Sequence, residues 1–116
     1  MKKPKWAKQL RYKRVITYDG VVRSPIAPSY RITECKSRKG HGRVLRYRLR
    51  SVVRSQNGVC KKIYHECCPG IHAYKSLQDA MNNTNWGDRI LRVYASMWYG
   101  GGNIQRASRV YVSSIV

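Results

Sequence analysis

The sequence predicts an α+β domain with a mainly antiparallel sheet of about six to eight strands and one short helix near residues 76–83. Two observations carry this prediction. Short runs rich in Val, Ile and Tyr recur along the 116-residue chain, separated by turn signals such as Asp19-Gly20 and Asn57-Gly58. One helix N-cap pattern, Ser76-x-x-Asp79, follows Pro69-Gly70.

The first eleven residues (1–11) are predicted to form a basic arm, and residues 12–116 a single folded domain. Trp6 lies among the cations of this arm. The arm is either a solvated chain end or a segment that becomes ordered on a partner, with Trp6 as its anchor. The lysines that would contact this partner are Lys2, Lys3 and Lys5.

The next elements are predicted to be short and extended. Tyr12–Tyr18 forms the first strand, and the Asp-Gly pair after it favours a tight turn into a return strand over Val21–Arg23. Two prolines in Ser24–Pro28 prevent regular pairing there, and Tyr30–Thr33 is a further short extended piece.

The segment Arg43–Arg54 has the clearest strand pattern. Apolar side chains alternate with arginine from Leu45 to Arg50, which predicts one face on the core and one face of guanidinium groups. A solvated face more often mixes the signs of its charges, so this row favours a binding function. Its members are Arg46, Arg48 and Arg50.

A basic, glycine-containing loop precedes this strand. Its flexible backbone and positive charge suit contact with phosphate groups, although a plain hairpin loop would look the same. Its cations are Lys36, Arg38, Lys39 and Arg43.

The segment around Pro69-Gly70 organises the middle of the chain. Proline and glycine break the chain direction, Ile71–Tyr74 forms a short strand, and Ser76-x-x-Asp79 has the pattern of a helix N-cap. His72 within it is either a functional imidazole or a structural hydrogen-bonding residue. The residues of this structural motif are Gly70, His72, Tyr74, Ser76 and Asp79.

Three further strands are predicted: Val59–His65, returning from a hairpin turn over Gln56–Gly58, then Arg89–Ala95, and finally Ile104–Ile115.

The tryptophans outside the arm are predicted to be packing residues. They are Trp86 and Trp98, and the pair Trp98-Tyr99 beside Gly100–Gly102 is the alternative candidate for a stacking surface.

Charge is the strongest compositional signal. The chain has 24 Lys and Arg against 5 Asp and Glu, a formal net charge of +19. Such a field favours a polyanionic partner, either nucleic acid or the acidic surface of a larger assembly. A membrane partner is not expected, because there is no apolar run of about 18 residues and no basic amphipathic helix.

The N-terminus lacks the apolar stretch of a secretory signal, so we expect residence inside a cell or an assembled particle, with reduced thiols.

Enzymatic chemistry and bound cofactors are not predicted. The weak candidates for zinc ligands, with His72 nearby, lack the paired spacing of a zinc knuckle, and buried thiols are the alternative. They are Cys60, His65, Cys67 and Cys68. Neighbours on a strand point to opposite faces, which argues against a Cys-His nucleophile, and five acidic residues leave little for paired-carboxylate catalysis.

The pattern Cys68-x-Gly70-Ile71-His72-x-Tyr74-x-Ser76-x3-Ala80 resembles a group of short uncharacterised domains of large DNA viruses and phages, some beside pentapeptide repeats. The resemblance implies a viral or phage origin, a location in the virion or the host-cell interior, and a compact α+β fold. It implies no catalytic residues.

The sequence therefore leaves three hypotheses for the function. The first is a minor virion- or capsid-associated component that contacts nucleic acid or an acidic protein surface. The second is a free-standing nucleic-acid binder that regulates or counteracts a host system. The third is an enzyme, because the Gly70-Ile71-His72 step is similar to that of ADP-ribosyltransferases, but the chain has no Glu after Glu66 to serve as the usual late catalytic acid.

Overall fold

The structure, a computed structural model, describes residues 2–18, 21–23, 46–56, 58–62 and 69–116. These residues form one antiparallel sheet and one helix, which confirms the α+β prediction. The strands are β1 Gln9–Tyr18, β2 Val21–Arg23, β3 Ser51–Arg54, β4 Ile71–Tyr74, β5 Asp88–Ala95, β6 Ile104–Ala107 and β7 Arg109–Ile115, and the helix is α1 Leu77–Asn82. The strand order is β3-β7-β5-β1-β4-β6, and β2 pairs with β1.

Strand β1 lies at the centre of the sheet and begins at Gln9, three residues before the predicted start. It pairs with β5 along most of its length, from Gln9 opposite Ala95 to Ile16 opposite Asp88. Its far end pairs with β2, where Tyr18 lies opposite Val21, so the predicted hairpin pairing is confirmed.

The predicted strand Ile104–Ile115 is in fact two strands, and this division bends the whole sheet. Only Ser108 separates β6 from β7, yet β6 pairs with β4 and β7 lies between β3 and β5. Strand β6 is at one edge of the sheet and β7 is next to the other edge, so the sheet must curl to bring these two strands together at Ser108. A short break in a long strand is a common way to make such a bend.

The inner face of the curled sheet carries the core, because side chains alternate between the two faces of a strand. Small and medium-sized aliphatic residues of the strands fill it. Two aromatic residues outside the strands, Tyr47 and Trp98, complete it. The core residues are Val15, Tyr47, Val53, Ile71, Ala73, Leu91, Val93, Ala95, Trp98, Ala107, Val110 and Val112. The prediction that Trp98 packs in the interior is confirmed, since its side chain is buried and its Nε1 donates to the Gln9 carbonyl at 3.0 Å.

Within the described residues 46–54, the predicted strand over Arg43–Arg54 is wrong as far as Arg50. Residues 46–48 are irregular, Leu49 and Arg50 form a turn, and only Ser51–Arg54 is a strand. Arg50 has a φ of 59°, which no strand residue adopts, so the predicted alternation ends there. Tyr47 is buried as expected, whereas Leu49 is 48% exposed.

The predicted return strand Val59–His65 is also wrong within the described residues. Residues 58–62 are irregular, and the partner of β3 is β7, with Val53 opposite Val110. The tertiary pairing with the C-terminal strand has replaced the local hairpin.

The segment after Gly70 folds as predicted. Gly70 has a φ of 137°, and a Cβ there would lie 3.0 Å from the Cβ of Arg106, so both backbone and space favour glycine. Strand β4 follows, and Ser76 is the N-cap of α1, where its Oγ accepts the Asp79 N–H at 3.1 Å. Helix α1 packs against β1 and β4.

Several predicted segments lie outside the described residues. They are Asp19-Gly20, Ser24–Pro28, Tyr30–Thr33, the loop with Lys36, Arg38, Lys39 and Arg43, and the candidate ligands His65, Cys67 and Cys68. In the part of the chain that is described, no helix has the length and apolarity needed to span a membrane.

Candidate nucleic-acid interface

Positive charge in the described structure has few acidic partners. All but five of the 24 Lys and Arg are described, the exceptions being Arg31, Lys36, Arg38, Lys39 and Arg43. The described acidic residues are Asp79, whose carboxylate accepts from the Ser76 hydroxyl in the first turn of α1, and Asp88, whose Oδ2 lies 3.6 Å from the Nε of Arg14. That contact is the one ion pair among the described residues, so no described carboxylate neutralises the cations at the surface.

Most of these cations reach the solvent. The exposed ones are Lys2, Lys3, Lys5, Lys8, Arg46, Arg48, Arg50, Arg54, Lys61, Lys62, Lys75 and Arg89. Their charges repel one another, and this repulsion favours a surface covered by a polyanion.

The N-terminal arm packs back onto the outer face of the sheet. The Ala7 N–H donates to the Pro4 carbonyl at 3.1 Å, and the Lys8 N–H donates to the Ala95 carbonyl at 3.1 Å. Ala7 is completely buried, while Lys2 and Lys5 remain exposed. The arm therefore presents its lysines from a fixed position.

Aromatic rings and cations meet where this arm crosses the sheet. The Arg109 guanidinium lies 4.0 Å from the centre of the Trp6 ring, and the Lys3 ammonium lies 4.4 Å from the centre of the Tyr94 ring. Arg54 is directly opposite Arg109 on the neighbouring strand. We call these five residues, Lys3, Trp6, Arg54, Tyr94 and Arg109, the arm patch.

Two like charges directly opposite each other weaken a strand pair unless an anion lies between them. The Arg54–Arg109 pair has this arrangement, and the described part of the chain supplies no carboxylate to it. The arm patch combines paired guanidinium groups with aromatic rings, which are the two features of surfaces that hold nucleic-acid backbones and bases.

The three arginines that were predicted to form one face of a strand form a second basic surface, although they do not lie on a strand. Arg46, Arg48 and Arg50 are all exposed. The segment is fixed between them by the buried Tyr47 ring and by the Arg50 N–H, which donates to the Val112 carbonyl at 2.7 Å. We call these three residues the arginine stretch.

Two of the described cations, Arg106 and Lys13, are buried inside the fold. Arg106 donates from Nε to the Cys60 carbonyl at 2.6 Å and from Nη2 to the Lys62 carbonyl, so it ties residues 60–62 to β6. The Lys13 ammonium lies 5.8 Å from the centre of the Tyr47 ring. Burial, and after it the charge of Arg14, lowers the pKa of Lys13 from 10.5 to about 7.

The described members of the structural motif lie just before β4, on β4 and at the start of α1. His72 and Tyr74 are half-buried on β4, opposite Arg106 and Ile104 of β6. Burial, and after it the charge of Asp79, raises the pKa of Tyr74, while the charge of Arg14 opposes the shift.

The zinc-ligand candidates stay a prediction, because most of them lie outside the described residues. Of the four candidates, Cys60 alone is described, and its N–H donates to the Pro69 carbonyl at 2.9 Å. Across the described ranges, no group of three or more His, Cys, Asp or Glu side chains could hold a metal ion.

The candidate stacking pair Trp98-Tyr99 does not form an open surface, because Trp98 is buried in the core. Tyr99 is half-buried and bridges to the backbone of Arg106 beside β6. Its ring lies 5.7 Å from the Lys61 ammonium.

Three arm-patch residues, Arg54, Tyr94 and Arg109, were not among the predicted site residues. They are separated by up to 55 positions in the chain, and only the β3–β7–β5 pairing brings them to one face. Each carried a weak local signal, an arginine or tyrosine within an extended run, but no spacing rule connects them.

Comparison of the chain with protein-family models, curated proteins and solved structures finds no match. The resemblance of the Gly70–Ala80 segment to viral and phage domains therefore stays a prediction.

Proposed function

We propose that this chain is a non-enzymatic, strongly basic module that binds nucleic acid through the arm patch and the arginine stretch. The Arg54–Arg109 pair carries the proposal, since two opposed guanidinium groups without a described carboxylate suit an anionic partner. The neighbouring rings of Trp6 and Tyr94 favour nucleic acid over an acidic protein, because bases also supply flat faces for stacking.

The setting of this binding is proposed on the resemblance alone. The segment around Gly70 is similar to domains of large DNA viruses and phages, which supports a minor virion- or capsid-associated component. A free-standing regulator that counteracts a host system would use the same surface. Co-purification with intact particles supports the first setting, and its absence supports the second.

The test is a titration of fluorescently labelled oligonucleotides at several salt concentrations between about 50 and 200 mM. We expect affinity to fall steeply with salt. Replacing Arg54 and Arg109 with Gln is expected to weaken binding to all sequences and to reduce the log–log salt slope by about two, since each arginine that binds one phosphate contributes about one.

The matched control removes two charges elsewhere, by Lys62→Gln and Lys75→Gln, whose side chains are exposed and outside both surfaces. We expect a smaller decrease in affinity for the control pair. A further variant with Gln at positions 46, 48 and 50 measures the share of the arginine stretch. Equal decreases in the patch and control variants would show non-specific charge attraction only, and salt-independent binding would overturn the proposal.

A further inference from the structure

Trp86 is the most exposed large apolar side chain among the described residues, at 102% of its reference area. The other two tryptophans have partners: Trp98 is buried in the core, and Trp6 lies against Arg109. Leaving an entire indole in water forgoes the favourable burial of a large aromatic surface. This position was predicted to be a packing residue, and the structure shows that prediction to be wrong.

The turn that carries Trp86 is held in place. The Asp88 N–H donates to the Asn85 carbonyl at 3.0 Å, and the Asn85 N–H donates to the Asp88 carboxylate at 3.1 Å. Gly87 has a φ of 91°, the left-handed conformation that the third position of a type II turn requires. The indole is therefore presented at the tip of a closed turn.

The base of this turn is also tied to the sheet and the helix. The Asp88 carboxylate lies 3.6 Å from the Nε of Arg14, and Nη1 of Arg14 donates to the Asn83 carbonyl at 2.6 Å. Arg14 thereby connects β1, the start of β5 and the end of α1. A ring on such a support loses little freedom when it binds a flat partner.

Two arginines follow the turn along β5, beyond the carboxylate of Asp88. Arg89 is exposed and lies opposite Val15 of β1, on the other face of the strand from Arg92. Arg92 lies farther along the outer face of β5, on the same side as Tyr94 of the arm patch, because residues two apart share a face. From Asp88 to Tyr94 the strand extends for about 20 Å.

We propose that Trp86 is a stacking platform for an unpaired base of a single-stranded nucleic acid that runs along β5 between this turn and the arm patch. The inference rests on the proposed nucleic-acid binding and specifies its substrate class. Charge complementarity favours this occupant over an apolar pocket of a protein. A duplex is disfavoured, because its bases are already stacked on each other and offer no free face.

The experiment compares wild type with Trp86→Ala and Trp86→Phe on single-stranded oligo-dT, single-stranded oligo-U, a duplex, and an abasic single strand of equal charge. Stacking on one aromatic side chain is worth about 1–3 kcal/mol, so Trp86→Ala is expected to weaken single-strand binding about tenfold. Trp86→Phe retains a stacking face and is expected to stay within about threefold of wild type.

Binding of the duplex and of the abasic strand is expected to be the same for wild type and Trp86→Ala, since neither offers a free base. The salt slope is expected to remain unchanged, because the substitution leaves the cations that bind phosphate in place. The oligo-dT and oligo-U arms distinguish DNA from RNA. Because the side chain is exposed, thermal melting of the variants should match wild type.

Single-strand binding that is unaffected by Trp86→Ala overturns this inference and leaves the proposed function standing. An equal decrease on the abasic strand also overturns it, since the indole would then contact the backbone. Loss of binding to poly-glutamate in Trp86→Ala, with nucleic-acid binding intact, assigns the ring to a protein partner instead. A wild-type chain that binds no nucleic acid overturns both proposals.

Discussion

Lys13 lies in surroundings that disfavour its charge. Its side chain is 2% exposed, on the inner face of β1 beside the Tyr47 ring. Moving an ammonium group out of water favours the neutral amine, and the charge of Arg14 adds to this effect. The residue therefore links the stability of the fold to pH between about 7 and 10.

The sign of this linkage follows from the lowered pKa. Between about pH 7 and 10 the unfolded chain keeps the Lys13 proton and the folded chain releases it, so the unfolded state binds more protons and stability rises with pH. Below about pH 7 both states are charged, and the destabilisation is fully present.

We expect the wild-type free energy of unfolding to rise from pH 7 to 9 relative to Lys13→Met, by up to about 1.4 kcal/mol per pH unit. Urea denaturation at several pH values measures it. Taking the difference between the two proteins cancels the titration of the thiols. Parallel profiles would mean that the amine is protonated in the folded state.

At the scale of elements, helix α1 depends on its first turn, because six residues form few internal hydrogen bonds. The Ser76 Oγ accepts from the Asp79 N–H and donates to the Asp79 carboxylate at 2.9 Å. The helix in turn supports Arg14 through the Asn83 carbonyl.

Replacing Ser76 with Ala is expected to lower the free energy of unfolding by about 1 kcal/mol, since one helix N–H loses its acceptor. Ser76→Thr keeps a hydroxyl and serves as the matched control, with an expected decrease of a few tenths of a kcal/mol. Chemical denaturation measures both. If the two variants are destabilised equally, the hydroxyl does not act as a cap.

Elements with local signals were predictable from the sequence, and those fixed by distant contacts were not. Gly70, β4 and the cap of α1 depend on neighbouring residues, and each lies where expected. The predicted strand over Arg43–Arg54 is interrupted at Arg50 by its positive φ, and β3 pairs with the distant strand β7. The exposure of Trp86 similarly follows from where β5 begins, which composition does not reveal.

At the scale of the whole molecule, unbalanced charge opposes folding. The formal net charge is +19, and the described cations have one ion pair among them. Salt shortens the range of this repulsion, from about 30 Å at 0.01 M to about 8 Å at 0.15 M ionic strength.

We therefore expect the melting temperature to rise with NaCl over this range, and to rise further when a single-stranded oligonucleotide is added, since a ligand of the folded state stabilises it. Thermal melts followed by circular dichroism measure both. The variant carrying Lys62→Gln and Lys75→Gln should respond less to salt. A melting temperature that is constant or falls with salt would show that the charges are compensated within the fold.

The position of β7 has a consequence for how the chain folds during its synthesis. This strand lies between β3 and β5, and it follows β6 after a single residue. Until Ile115 has left the ribosome, the strands that flank it lack their partner and the inner face stays open to water. The sheet therefore closes only after β7 has been synthesised, and until then the exposed inner face makes the nascent chain prone to aggregation.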